Sequence, residues 1–242
     1  MLTMRDILIS PFSAALPGNP FGGYRTLADA AMDWRMWVML AIAIVVSTTV
    51  HEAAHAFVAD KLGDPTPRES GRVTLNPLRH FDAVGAILMG VAIWTGLPIG
   101  WGKTVPVDGS KLREPKRTSM AIVAAAGPIA NITAAVIFAG ALRLFLASGY
   151  ATFNEWTMMA LITLVISVGL NVAQFVFNLI PVHPMDACTV LASCLPESIG
   201  VPFLAFMQKW GAVVMIALVY THVLDGILMP LIVTIFRHLI GF

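Results

Sequence analysis

An all-α polytopic membrane protein is the fold class this chain predicts, and three observations carry that expectation. Hydrophobic residues make up 57% of the 242 and charged residues only 12%, with a mean hydropathy of +0.80, a balance outside the range of ordinary soluble domains. Apolar runs recur at about 34–62, 120–146, 156–180 and 211–236, each long enough to cross a hydrocarbon core, which takes ~20 residues. Charge is segregated: nine of the fifteen Lys/Arg lie between Lys61 and Arg117. The net charge of +1 gives no reason to expect a nucleic-acid partner. Cys188 and Cys194 have no metal-ligand spacing and read as small apolar residues near a membrane face.

Residues 1–33 are expected to form an arm on the membrane surface, and 34–242 a single integral membrane domain. The apolar piece Ile7 to Leu16 is broken by Pro11, too short to span, and lacks the basic flank of a signal peptide. Trp34 and Trp37 mark an interfacial belt where the first spanning helix begins. That helix runs to about Leu62 and stops at Gly63-Asp64-Pro65.

Inside it lies His51-Glu52-Ala53-Ala54-His55. Residues four apart share a helix face, so His51 and His55 can offer imidazole nitrogens to one Zn²⁺, while Glu52 sits one step round as a general base for water. Three ionisable groups within five residues of a membrane helix are costly unless they are used. Counting back from Asp60 and Lys61 at the exit interface, His55 lies ~7 Å and His51 ~13 Å inside, at 1.5 Å per residue.

Residues 63–82 are polar and turn-rich, with one strand-like piece, Arg72 to Leu75. Ala83 to Trp101 is uncharged, with four glycines and a proline, and is either a full span or a re-entrant segment. Parity favours re-entry. The basic segments 61–81 and 102–119 should share the cytoplasmic side. The helices at 120–146 and 156–180 then cross out and back, returning the chain to the depth of the two histidines. There the helix is broken by Pro181 and Pro184, and Asp186 follows as the only acid between Glu155 and Glu197. A catalytic zinc takes three protein ligands and keeps one position open, so Asp186 is the candidate third ligand. The last apolar stretch is interrupted by His222, Asp225, Gly226 and Pro230, which predicts a kink and a His222–Asp225 pair.

With these residues in view the chain resembles the site-2 proteases, zinc metalloproteases that cleave substrates within or beside the membrane. The likeness runs from about Trp34 onward and rests on His51-Glu52-Ala-Ala-His55, Leu75-Asn76-Pro77-Leu78-Arg79-His80, Gly102-Lys103-Thr-Val-Pro106-Val, Gly127-Pro128-Ile-Ala-Asn131 and Asn178 through Asp186. It implies His51, His55 and Asp186 as ligands of one Zn²⁺ per chain and Glu52 as general base. It also implies a three-helix catalytic core, with strands at Arg72–Leu75 and Trp101–Val107 that present an extended substrate. The final motif departs from the family's usual N-x-x-P-x-P-P-L-D-G at His183, Met185 and Ala187, where proline, leucine and glycine are usual.

Asn131 and Asn178, polar residues on apolar helices, are candidates for oxyanion or substrate contacts, or for bonds between helices. His80 and His183 are further near-site candidates; His80 has the alternative of holding the re-entrant segment, and His183 of facing the loop. The function implied is intramembrane proteolysis of a membrane-protein substrate, one transmembrane segment in a lipid bilayer, with homo-oligomerisation left open. A prokaryotic cell membrane, with the site nearer the cytoplasmic face, is the expected location. No polar interval is long enough for a PDZ or CBS domain. Two rival functions are an inactive membrane scaffold or chaperone and a metal transporter. Retention of Glu52 speaks against the scaffold, and the gathering of polar groups in one half of the membrane speaks against the transporter.

Overall fold

The computed structural model describes residues 34–80, 104–148, 155–221 and 223–241. The elements are α1 (Trp34–Lys61), α2 (Thr66–Glu69), α3 (Pro77–His80), α4 (Lys116–Ala147), α5 (Glu155–Phe177), α6 (Asp186–Cys194), α7 (Glu197–Tyr220) and α8 (Asp225–Ile240). Four helices are long and apolar enough to cross a membrane: α1, α4, α7 and the Trp156–Phe177 part of α5. They make this a multi-pass membrane protein. Large apolar side chains such as Ile42, Ile137, Val213 and Ile216 are exposed on these helices, as expected where lipid is the solvent.

The chain divides into two compact units. The described part of one, drawn from 34–47, 132–173 and 229–241, buries Met39, Ala43, Leu142, Leu161, Val165 and Phe236. The other comprises 48–131 and 174–228. In it Ala59, Leu112 and Val123 form a buried cluster, flanked by Val58, Leu62, Val107 and Met120.

Two expectations change. The last apolar stretch is not one kinked helix: α7 begins at Glu197, beyond Pro196, and ends at Tyr220, and α8 carries Pro230. The Thr221 hydroxyl and N–H both bond the Ala217 carbonyl, at 2.8 and 3.0 Å, which closes the last turn of α7. The proposed His222–Asp225 pair lies outside the described side chains. Residues 72–75 form a bend instead of a strand, because their backbone is satisfied locally. The Arg72 N–H bonds the Pro67 carbonyl at 2.8 Å and the Thr74 N–H bonds the Arg72 carbonyl at 2.9 Å. Among the described residues there is no strand. The arm at 1–33, the segment at 83–101 and the first residues of 101–107 lie outside those described.

The Leu75-Asn76-Pro77 motif resolves into a helix start. The Asn76 side-chain oxygen accepts the Leu78 N–H at 3.0 Å, and Pro77 takes the first helical position, where its missing N–H costs nothing. Asp64, fully buried after α1, accepts the N–H of Thr66 at 3.0 Å and of Asp108 at 2.7 Å. It thereby ties the 104–113 loop to the end of the first helix, a tie repeated by the Arg113 N–H on the Leu62 carbonyl at 2.8 Å.

Candidate metal centre

His51 and His55 lie one turn apart on α1, and their Nε2 atoms approach to 3.0 Å. Asp186 opens α6, placing one carboxylate oxygen 3.2 Å from His51 Nε2 and the other 3.4 Å from His55 Nε2. Donor atoms bound at 2.0–2.2 Å around a tetrahedral zinc lie about 3.3 Å apart, so each of these separations is close to a donor–donor edge of such a site. Among the described residues this is the one His/Cys/Asp/Glu group able to hold a metal ion.

The tautomers decide what the group can bind. His55 Nδ1 lies 2.8 Å from the Val123 carbonyl, which only accepts, so Nδ1 carries the proton and Nε2 is a bare lone pair. His51 Nδ1 lies 2.6 Å from the Asn131 side-chain oxygen, with the same consequence. Two imidazole lone pairs and a carboxylate therefore face one point, and one Asp186 oxygen is buried without a hydrogen-bond partner. Three convergent acceptors need a shared cation, and a nitrogen–nitrogen–oxygen set suits Zn²⁺. The residues fit the metal.

The second motif helix explains itself in this setting. A Cβ on Gly127 would collide with His55 Nε2 and lie 2.6–2.7 Å from the His51 ring, so only glycine lets α4 pass the pair. Pro128 lacks the N–H that would bond the Ala124 carbonyl, next in the chain to the Val123 carbonyl that accepts from His55. Asn131, one turn beyond Gly127, lies on the same face and takes His51. It is fully buried, and its NH₂ donates to Gln174 on α5 at 2.9 Å. Both ends of its amide are thus engaged across helices, one of the two roles expected for it, and one of the groups it holds is His51.

Asn178 also faces inward to the protein. Its side-chain oxygen accepts the Asp186 N–H at 3.4 Å, its carbonyl accepts the Ala187 N–H at 3.0 Å, and its NH₂ bonds the Gln174 carbonyl at 2.9 Å. The N-terminus of α6 has no cap from Met185, so Asn178 supplies one from outside and fixes where Asp186 sits. Ala187 is an ordinary α-helical residue, so the glycine usual at this position is not required by the backbone.

Glu52 accepts the Val105 N–H at 3.0 Å through one carboxylate oxygen. His80 stands apart: its Nε2 donates to the Thr74 carbonyl at 2.8 Å, closing the 74–80 loop, and its buried Nδ1 has no partner among the described residues. His183 is not in the metal-binding group, and its backbone and Cβ pack on Gly211 of α7. Ser47 and Thr49, just before His51 on α1, are buried. The residue that sequence reasoning missed is Gln174; a lone glutamine on an apolar helix belongs to no motif, and its amide is the only hint.

Comparison with known proteins points the same way as the donor set. Over 192 residues the chain is 33% identical to the Bacillus subtilis protein named "Putative zinc metalloprotease YwhC", covering 79% of this chain and 84% of that protein. The "Putative zinc metalloprotease Rip2" of Mycolicibacterium smegmatis is 29% identical over 78% of this chain and 70% of its own length. Its Mycobacterium tuberculosis counterpart is 28% identical over 79% and 70%. No protein-family model and no solved structure matches the chain.

Proposed function

This chain belongs to the zinc metalloprotease family of its Bacillus subtilis relative, and on that premise we propose that it is a zinc-dependent intramembrane endopeptidase of the site-2 type. The observation that carries this reading is the convergence of His51 Nε2, His55 Nε2 and the Asp186 carboxylate at 3.0–3.4 Å, next to the Glu52 carboxylate on the same membrane helix. These three residues would hold the ion. Zn²⁺, when bound, supplies Lewis-acid activation of water and of the scissile carbonyl.

The protein's own residues do the rest. Val105 holds one oxygen of Glu52, leaving the other to accept a proton from the attacking water and pass it to the departing amine nitrogen. Asn131 and the Val123 carbonyl keep both imidazoles with Nε2 bare. Asn178 holds Asp186 at the head of α6. The substrate proposed is a single transmembrane segment, whose internally bonded backbone must be unwound before a peptide bond becomes accessible. Parity of the basic segments supports a site nearer the cytoplasmic face of a bacterial membrane, where water can enter.

Reconstitution in proteoliposomes with a single-span substrate tests the reading. The Glu52→Gln variant should retain zinc while its cleavage rate falls at least a hundredfold, the lower range for loss of a general base being about 10²-fold. Equal cleavage by that variant would remove Glu52 from the mechanism. A parent that binds zinc but cuts no membrane substrate would favour the scaffold.

A further inference from the structure

The polar residues on the spanning helices form a line that the catalytic roles above do not use up. Thr48 on α1, Gln174 on α5 and Asn131 on α4 are joined end to end: Gln174 NH₂ donates to the Thr48 hydroxyl at 3.4 Å, Asn131 NH₂ donates to Gln174 Oε1 at 2.9 Å, and His51 Nδ1 donates to Asn131 Oδ1 at 2.6 Å. We propose that Gln174 is a positioning residue for the metal centre: acting through Asn131, it holds the His51 imidazole in the tautomer that can ligate. The inference rests on the reading of His51 as a zinc ligand.

An amide has two faces, one that accepts and one that donates. Asn131 can present either its oxygen or its NH₂ to His51, and the two choices have opposite consequences. With the oxygen facing the ring, Nδ1 carries the proton and Nε2 points a lone pair at Asp186. With the NH₂ facing the ring, Nδ1 must accept, Nε2 carries the proton, and that proton fills the position a metal would take. Nothing in His51 itself selects between them. Gln174 does in the arrangement observed, because the face it turns to Asn131 is Oε1, which can only accept and therefore demands the Asn131 NH₂ on that side. His55 needs no such relay, since its Nδ1 faces a backbone carbonyl that has no second face. The asymmetry explains why one ligand is served by main chain and the other by a chain of side chains from three helices.

A bland alternative is that Thr48, Gln174 and Asn131 simply bond three helices together. The two roles separate in zinc affinity measured by chelator competition on the full-length protein in detergent. Gln174→Leu should weaken zinc binding about ten- to a hundredfold, the usual cost of losing a partner that orients a ligand. Gln174→Glu keeps an acceptor for the Asn131 NH₂ and should restore most of that loss. In an Asn131→Ala background, Gln174→Leu should cost nothing more, because its action passes through Asn131. With ¹⁵N-labelled histidine, metal-free Gln174→Leu should show a new Nε2-protonated imidazole absent from the parent.

Parent-like zinc affinity in Gln174→Leu would overturn the proposal. So would a loss as large in the Asn131→Ala background as in the parent. His51→Ala distinguishes the two levels of the argument. If it binds zinc as the parent does, the ligand assignment itself fails. If it loses zinc while Gln174→Leu keeps it, the centre stands and the Gln174 role alone is refuted.

Discussion

A methyl group at position 127 would fall 2.6–2.7 Å from the His51 ring and closer still to His55. Both rings are held by hydrogen bonds, so neither can step aside freely. Gly127→Ala should therefore destabilise the protein by about 1–3 kcal/mol, the usual range for overpacking, and weaken zinc binding with it. Thermal unfolding in detergent, with and without zinc, checks both. Ala187 makes the opposite case. Its motif position suggests glycine, yet the residue lies in regular α6 helix with its N–H on the Asn178 carbonyl. Ala187→Gly should cost up to ~1 kcal/mol of stability, a helix-propensity effect, and a gain in stability would contradict this placement. At this scale the ligand types were legible, since His51, His55 and Asp186 are the rare ionisable groups of apolar stretches. Roles set by neighbours were not: Asn131 lies 80 residues from His51 and Gln174 lies 126 from Thr48, and no local pattern records such partners.

Between residue and molecule stand the elements that carry the site. The end of α1 and the 104–108 segment are clasped twice by carboxylates accepting backbone N–H groups, Glu52 from Val105 and Asp64 from Asp108. Asp64 is fully buried, so Asp64→Ala leaves the N–H groups of Thr66 and Asp108 without their acceptor. A loss of about 1–3 kcal/mol is expected, with faster proteolysis within 104–113 than in the parent. An unchanged cleavage pattern would show that the clasp is not what holds the loop. The far end of α6 is held in the same manner, by Arg117 donating to the carbonyls of Ala192 and Leu195 at 2.7 and 2.5 Å. Hydropathy located the long helices because it needs only composition. It could not separate α7 from α8, since apolar residues continue both before Tyr220 and after Asp225. Nor could β-branched Val73 and Thr74 make a strand where the backbone already had local partners.

For the whole molecule, the ligands come from α1 and α6, 131 residues apart between His55 and Asp186, so an ion bound by both favours only the folded chain. Removing it with a chelator should lower the unfolding temperature, and zinc at a thousandfold excess over its dissociation constant should return about 4 kcal/mol. Asp186→Ala should be indifferent to both additions. That Asp186 reaches the two histidines is the contact expected from counting crossings and basic segments, while the segment at 83–101 lies outside the described residues. The central claim is that His51, His55 and Asp186 make one zinc site served by Glu52, and metal content per chain tests it most directly. Elemental analysis of purified protein should find one zinc per chain in the parent and in Glu52→Gln, and almost none in His51→Ala, His55→Ala or Asp186→Ala. Full zinc occupancy in Asp186→Ala, or none in a parent that still cleaves its substrate, would contradict the account.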